Sequence, residues 1–456
     1  MADPLWQKAL EQIVGSQHMT TAPEAIRRWD WEGSQPPAVT FPGDREQVRE
    51  LIRLANAEGL KVVPFGHGTK LRMGGVHQPV DFAVSLERLN RVCDYPASDL
   101  TISVEAGIPI HALESTVDSK GQMLPLDVPF AEQGTVGGMV AANVNGPRRL
   151  AYGTWRDMVL GVQFVTAEGK LAKGGGKVVK NVAGYDIPKL MIGSMGSLGV
   201  IVEVTFKTFP APAASATLVL RFRSSERAAQ AALHILRSPL LPQALDLVDA
   251  PAGVLASESK WQQTSSTLLA KVAGPEQVLA RFEHELPALV RRDGLESFEI
   301  VRGNREVDLW RTVQGITSTF LRGHPNGVVV KTSLPLTRMG EFIEIIVRSR
   351  AGREKHGLAD AILARAGSGI VYVHLRSEFP EKPNAHVAGL ASASSALIQA
   401  AEQRGGRALV EWCPAELKGK VDRWGTLGDD FASMRNLKAA LDPKNILSPG
   451  RFYGGI

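Results

Sequence analysis

The stretch that most restricts the fold of this chain runs from Lys61 to Gly75. A short apolar strand at 61–64 passes directly into Phe65-Gly66-His67-Gly68-Thr69-Lys70-Leu71 and closes at Gly74-Gly75. Glycines let a backbone take positive φ and turn successive N–H groups toward one point. Such a concavity binds phosphate oxygens without charged side chains, and the Thr69 hydroxyl adds a donor. Two familiar nucleotide loops are excluded by the spacing. G-x-G-x-x-G needs glycine where Leu71 stands, and G-K-[ST] needs lysine ahead of threonine, whereas the order here is Gly68-Thr69-Lys70. Taken alone, the loop reads equally as a structural strand-to-loop turn.

The flanking pattern is α+β. Val48, Leu51, Ile52 and Ala55 recur at spacings of three and four, which predicts a helix over 44–58. Asp44 is its N-cap, Gln47 follows as in a capping box, and Gly59 takes the left-handed position past the end. Strands are predicted at 81–85, 101–105 and 200–208, a helix at 111–119, and a hairpin at 162–173 turning through Ala167-Glu168-Gly169. Pro210-Ala211-Pro212 then breaks the chain. Beyond it, strands at 216–223, 267–272, 328–333, 370–375 and 408–411 alternate with helices at 225–237, 276–290, 338–348 and 388–404. This alternation suits a sheet with helices on one face. The Arg/Ala-rich segment 345–366 reads as helix and loop.

The 456 residues exceed the roughly 250–300 that one core supports. The expected division is an N-terminal segment at 1–30, one α+β domain at 31–210, a second at 211–430, and a C-terminal segment at 431–456. The formal charge of +5 is spread along the chain, and no basic stripe with interleaved aromatics marks a nucleic-acid face. Cys93 and Cys413 cannot build a disulfide framework, and two thiols are too few for an iron–sulfur cluster. Residues 1–20 carry Asp3, Glu11 and Gln12 without a long apolar run, and nothing approaches the ~18 apolar residues of a membrane span. A cytoplasmic protein is expected, with no direct membrane insertion and any attachment to the inner membrane made through a partner.

Two further segments change the reading of the glycine loop. Residues 134–157 begin Gly134-Thr135-Val136-Gly137-Gly138 and include Tyr152-Gly153-Thr154. Residues 176–201 contain Lys180-Asn181-Val182-Ala183-Gly184-Tyr185-Asp186 and end Gly196-Ser197-Leu198-Gly199-Val200-Ile201. Together with 64–75, these resemble the three cofactor segments of the vanillyl-alcohol oxidase/PCMH-type flavoproteins. The run at 180–186 and the ending from Leu441-Asp442-Pro443 to Pro449-Gly450-Arg451 are similar to the FAD-binding subunits of bacterial glycolate oxidases. The resemblance is dense over the first domain, good over the last twenty residues and weaker through 211–430.

It implies a PCMH-type two-subdomain FAD-binding domain and an α+β cap domain whose antiparallel sheet is covered by helices, with 431–456 returning to the first domain. It implies that Gly66, His67, Gly68 and Thr69, beside Phe65, cradle the FAD pyrophosphate. Gly134, Thr135, Gly137 and Gly138 would approach the pyrophosphate and ring system. Gly196, Gly199, Val200 and Ile201 would border the cofactor, the last two at the adenine edge, with Gly153 near the same end. In some relatives a histidine bonds covalently to the flavin, but that position is Gly68 here, one residue after His67, so non-covalent FAD is expected. Lys177 and Lys180 are candidates for stabilising an anionic reduced flavin. Ser448 stands where the family has asparagine before Pro-Gly-Arg, which weakens a contact from that position to FAD.

Related 2-hydroxy-acid dehydrogenases carry a metal segment of the form H-x-G-D-G-N-L-H. The corresponding stretch runs from Arg365 to Tyr372, with those two residues at the histidine positions and Ser368 at the aspartate. Divalent metals take imidazole or carboxylate ligands, so no metal site is expected, and His374 is expected to be structural. The resemblance then implies an FAD-binding component of a multi-subunit glycolate oxidase or dehydrogenase. Its partners would be a homologous FAD subunit that keeps the metal motif and an iron–sulfur subunit, with a small 2-hydroxy acid as substrate of the complex. The alternatives are a self-sufficient FAD-dependent 2-hydroxy-acid (D-lactate-like) dehydrogenase and a flavin-less scaffold. No catalytic residue is assigned.

Overall fold

The computed structural model describes residues 5–29, 31, 35–76, 78–177, 184–256, 266–378 and 383–456. Helix Arg45–Glu58 forms for the reasons its sequence states. The Asp44 carboxylate accepts the Gln47 N–H at 2.9 Å, Gln47 Oε1 accepts the Gly43 N–H at 2.7 Å, and Gly59 ends the helix at φ 71°. Its face of Val48, Leu51, Ile52 and Ala55 is buried in one apolar core with Val62, Phe82 and Val84. Strands Val62–Phe65 and Phe82–Ser85 pair in parallel, and Val39–Thr40 and Met19–Thr20 extend that sheet. Parallel strands end at the same edge, and the glycine loop leaves that edge after Phe65. The C-terminal segment lies along the other side of Val62–Phe65. The Val62 N–H donates to the Ile446 carbonyl at 2.7 Å, and the Ser448 N–H donates to the Val62 carbonyl at 2.8 Å.

A five-stranded antiparallel sheet follows, in the order Val92–Asp94, Thr101–Glu105, Val200–Lys207, Val159–Val165, Leu171–Gly175. Helix Val136–Ala142 packs on its central strand, Val200–Lys207. This brings the second and third glycine segments side by side.

The second half builds an eight-stranded antiparallel sheet. Its order is Leu295–Arg302, Ala214–Phe222, Ser266–Gly274, Ala244–Asp249, Leu358–Arg365, Ile370–Ser377, Val328–Ser333, Arg407–Trp412. Side chains alternate across a strand. Ala216, Leu218, Leu220 and Phe222 therefore share a core with helices Ser225–Leu236, Glu276–Val290 and Leu336–Lys355. Val219, Val248 and Leu363 turn the other way, into the core of the first half.

Two expectations need correction. Helices do not cover one face alone: helix Asn304–Gly323 sets Trp310, Val313, Ile316 and Phe320 into the opposite core. The 3-and-4 spacing of those four residues was the available signal. Segment 345–366 is also not helix and loop throughout, because Leu358–Arg365 is an interior strand. Its apolar pattern is hidden by charges that the fold buries in pairs. Asp360 accepts from Arg350 at 2.7 Å and from Arg353 at 2.5 Å, and Arg365 pairs with Asp246.

Candidate functional site

The glycine loop, the start of helix Val136–Ala142 and the approach to strand Val200–Lys207 face one another across a cleft of about 700 Å³. From the first segment, Phe65, Gly66, His67, Gly68 and Thr69 line it; from the second, Thr135, Gly137 and Gly138; from the third, Gly196, Gly199, Val200 and Ile201.

The loop's backbone has a distinctive chemistry. The N–H groups of Gly66, His67, Gly68, Thr69 and Lys70 donate to no acceptor among the described residues. Unpaired amides are rare where they are buried, as at Gly66 and Lys70, because each then costs the worth of a lost hydrogen bond; His67, Gly68 and Thr69 are half-buried. Five in succession, with the chain turning at Gly68 (φ 83°), leave a run of donors beside the cleft of the kind that takes up anionic oxygens. The loop is also locked to the second segment, since a β-carbon on Gly66 would meet Thr135 Oγ1 at 1.9 Å. His67 is tied down through Nδ1, which bonds the Gln133 carbonyl at 3.0 Å.

Some expected residues fall elsewhere. Gly134 and Gly153 are not among the residues lining the cleft. Gly134 donates to the Phe130 carbonyl at 2.7 Å and accepts from the Ile110 N–H at 3.0 Å, so it shapes the turn from behind. Gly153 closes the short helix Arg149–Tyr152 at φ 82°, where a β-carbon would strike the Asp157 carboxylate at 2.5 Å. Lys177 pairs with Asp94 on the edge strand Val92–Asp94 and is not among the residues lining the cleft. Lys180 lies outside the described residues. Ser448 is fully buried without a hydroxyl partner and does not line the cleft. Lys70, Met73, Met195 and Arg451 line it without having been expected. Arg451 donates from Nη2 to the Lys70 carbonyl at 2.6 Å and accepts the Gly75 N–H at 2.7 Å. Its place beside the loop comes from the returning tail, whose Pro-Gly-Arg ending was the signal.

A second, smaller cavity adjoins the first, and Lys70 and Met73 line both. Phe130 and Asn145 wall it from one side; Gln314, Thr317, Arg365, Tyr372, Glu411 and Trp412 wall it from the other. Lys70 is 6% exposed, with Nζ 3.8 Å from the Phe130 ring centre and 5.6 Å from that of Trp412. Burial pushes its ammonium down to about 7, and the Glu411 charge opposes that shift. Glu411 accepts from Lys331 at 3.1 Å. Burial works against the Lys331 charge, but Glu411 prevails and holds it above the ordinary lysine range. Arg365 pairs with Asp246 through Nη1 while its Nε is buried without a partner. Burial raises Asp246 to about 6 in spite of that pair. His374 lies behind the wall, bonded through Nε2 to Thr317 Oγ1 at 2.9 Å and lowered by burial to about 4. Among the described residues no group of three or more His, Cys, Asp or Glu stands together as a metal set.

The fold and the amide-lined cleft define a PCMH-type FAD-binding oxidoreductase. The chain matches the FAD binding domain over residues 36–175 and the C-terminal domain of FAD linked oxidases over 211–409 and 424–452, and it belongs to that family. Its fold is shared with p-cresol methylhydroxylase solved with substrate bound, at TM-score 0.79 and 14% identity over 99% of this chain and 97% of that one. Among relatives, glycolate oxidase subunit GlcD of Bacillus subtilis is 25% identical over 92% of this chain and 89% of its own length. D-2-hydroxyglutarate dehydrogenase of Xanthomonas citri pv. viticola is 28% identical over 98% and 96%. Glycolate oxidase subunit GlcE of Escherichia coli is 39% identical over 175 residues, 38% of this chain and 49% of GlcE.

Proposed function

We propose that this chain is an FAD-dependent oxidoreductase acting on a small 2-hydroxy acid. The observation that carries the reading is a pair of adjoining spaces, one walled by unpaired amides and one by buried cations, which share Lys70 and Met73. Relatives matching nearly the whole chain are named for glycolate and D-2-hydroxyglutarate, both 2-hydroxy acids, which supports the substrate class.

In this reading the amides from Gly66 to Thr69 hold the FAD diphosphate, with Phe65 beside them. Thr135, Gly137 and Gly138 flank the diphosphate and ring system. Gly196 and Gly199 border the cofactor, and the backbone of Val200 and Ile201 meets the adenine edge. Gly134 and Gly153 act from behind, by shaping the turns. FAD, when bound, supplies a two-electron acceptor. The cofactor is held non-covalently, because position 68 offers no side chain and the His67 ring is bonded to Gln133. The domain limits proposed are 31–210 and 211–430, with 431–456 returning to the first.

The test is absorbance of the purified chain under anaerobic titration with glycolate, D-lactate and D-2-hydroxyglutarate. Bleaching of the flavin band by one of them is expected from the chain alone. A yellow protein that none of them bleaches would remove the self-sufficient reading.

The identity to GlcE, higher than to the full-length relatives, favours a second reading. Here the chain is one component of a multi-subunit glycolate oxidase, beside a homologous metal-motif FAD subunit and an iron–sulfur subunit. Co-purification with a cluster-bearing chain tests it. No helix among the described residues is long and apolar enough to cross a membrane, and we place the protein in the cytoplasm, with membrane contact made through a partner.

A further inference from the structure

We propose that the second cavity is a proton-linked site for a small monocarboxylate, with Lys70 as the cation that pairs with the carboxylate and so determines specificity. This rests on the 2-hydroxy-acid reading and deepens it by naming the residue and the charge of the preferred substrate.

The geometry makes Lys70 an unanswered cation. Its ammonium carries three donors, yet its one acceptor among the described residues is the Pro129 carbonyl at 3.4 Å. Among the described residues no carboxylate lies within ion-pair distance of it. The lysine is held where it is: Arg451 clamps its carbonyl at 2.6 Å, and Phe130 brings its ring against Nζ from a left-handed backbone, φ 62°. A bulky side chain at positive φ is an outlier that surrounding structure must enforce. The other charges cancel in pairs. Glu411 is matched by Lys331, and Arg365 by Asp246. One monoanion against Lys70 therefore neutralises the charges that line the cavity, whereas the second carboxylate of a dianion finds no further unmatched cation among the lining residues, Arg149 standing outside that wall near Tyr372 and Arg365. The Nε of Arg365, buried without a partner, is a further donor in the same wall.

Burial holds the Lys70 ammonium near 7, against the pull of Glu411. A carboxylate brought beside it favours the charged form, so binding draws in a proton above that pH. The titratable groups facing Lys70 across the cavity are Glu411, Tyr372 and Arg365, backed by Lys331, Asp246 and Arg149. Asp246, near 6, titrates below the window. No imidazole is among the lining residues, and His374 behind Thr317 stays neutral.

The probe is oxamate, a monoanion shaped like a 2-oxo acid that cannot be oxidised at C2. It is titrated calorimetrically into the FAD-loaded protein between pH 6.5 and 9, in buffers of different ionisation enthalpy. Expected are uptake of close to one proton at pH 8, and affinity falling by about tenfold per unit above about pH 7.5. Oxalate, a dianion, should bind more weakly than oxamate. Lys70→Met should weaken oxamate at least tenfold at pH 7 with the flavin retained, and Lys70→Arg should bind it without the pH dependence. Binding that is independent of pH, or unchanged in Lys70→Met, overturns the proposal. If the wild type is still bleached by a 2-hydroxy acid in that case, the functional reading survives. A wild type that neither binds oxamate nor bleaches sinks both.

Discussion

Gly66 and Thr135 are in contact only because position 66 carries no side chain: a β-carbon there would stand 1.9 Å from Thr135 Oγ1. The first glycine loop and the start of helix Val136–Ala142 thus meet through bare backbone. The glycine serves the closure of two protein segments on each other as much as any approach to a ligand.

Gly66→Ala should therefore spread the two segments. Forcing one methyl into a filled space costs about 1–3 kcal/mol, and the strain falls on the walls of the cleft. FAD content of the purified variant, read from its visible absorbance, should drop more than tenfold while far-UV circular dichroism stays close to wild type. Full flavin occupancy would count against the assignment of this loop.

Arg451 joins the tail to the loop through the Lys70 carbonyl at 2.6 Å. Hydrogen bonds from charged donors contribute about 1.5–3 kcal/mol. Arg451→Met should lower unfolding stability by roughly that amount and speed FAD release, measured by denaturant titration and by fluorescence of freed flavin. A variant with wild-type flavin retention would show that the clamp is dispensable.

Lys70 gives a pH dependence whose sign is fixed by its shift. Its folded value, about 7, lies below the ordinary lysine value of 10.5. Between those two values the unfolded chain holds a proton that the folded one has released, so stability rises with pH across that window. Below about 7 the buried charge is carried at full cost. Lys70→Met should accordingly stabilise the protein at pH 6.5 by on the order of a few kcal/mol, with the advantage shrinking toward pH 10. Melting temperatures of both proteins across pH 6.5–10 check this, and parallel curves would contradict it.

Asp246 and Arg365 form a buried pair on adjacent interior strands. Removing one charge of such a pair strands the other, at about 3–5 kcal/mol. Asp246→Asn should destabilise by that order, and adding Arg365→Met should recover part of the loss. A double-mutant cycle by urea denaturation gives the comparison; strict additivity would mean that the two groups do not sense each other.

The capped helix at 44–58, the glycine loop and the three cofactor segments are local features. Their meaning depends on residues a few positions apart, so the sequence by itself determined them, together with the family and the cofactor they imply. It also located Arg365 and Tyr372 as departures from a metal motif. Tertiary structure alone decided what those residues do instead. The state of Lys70 depends on Phe130 and Trp412, which reach it from distant parts of the chain, and Arg365 is matched by a carboxylate 119 positions away. Strand Leu358–Arg365 was hidden for the same reason: a buried charge reads as surface until its partner is known. Burial and pairing are properties of the folded neighbourhood, and no spacing along the chain encodes them.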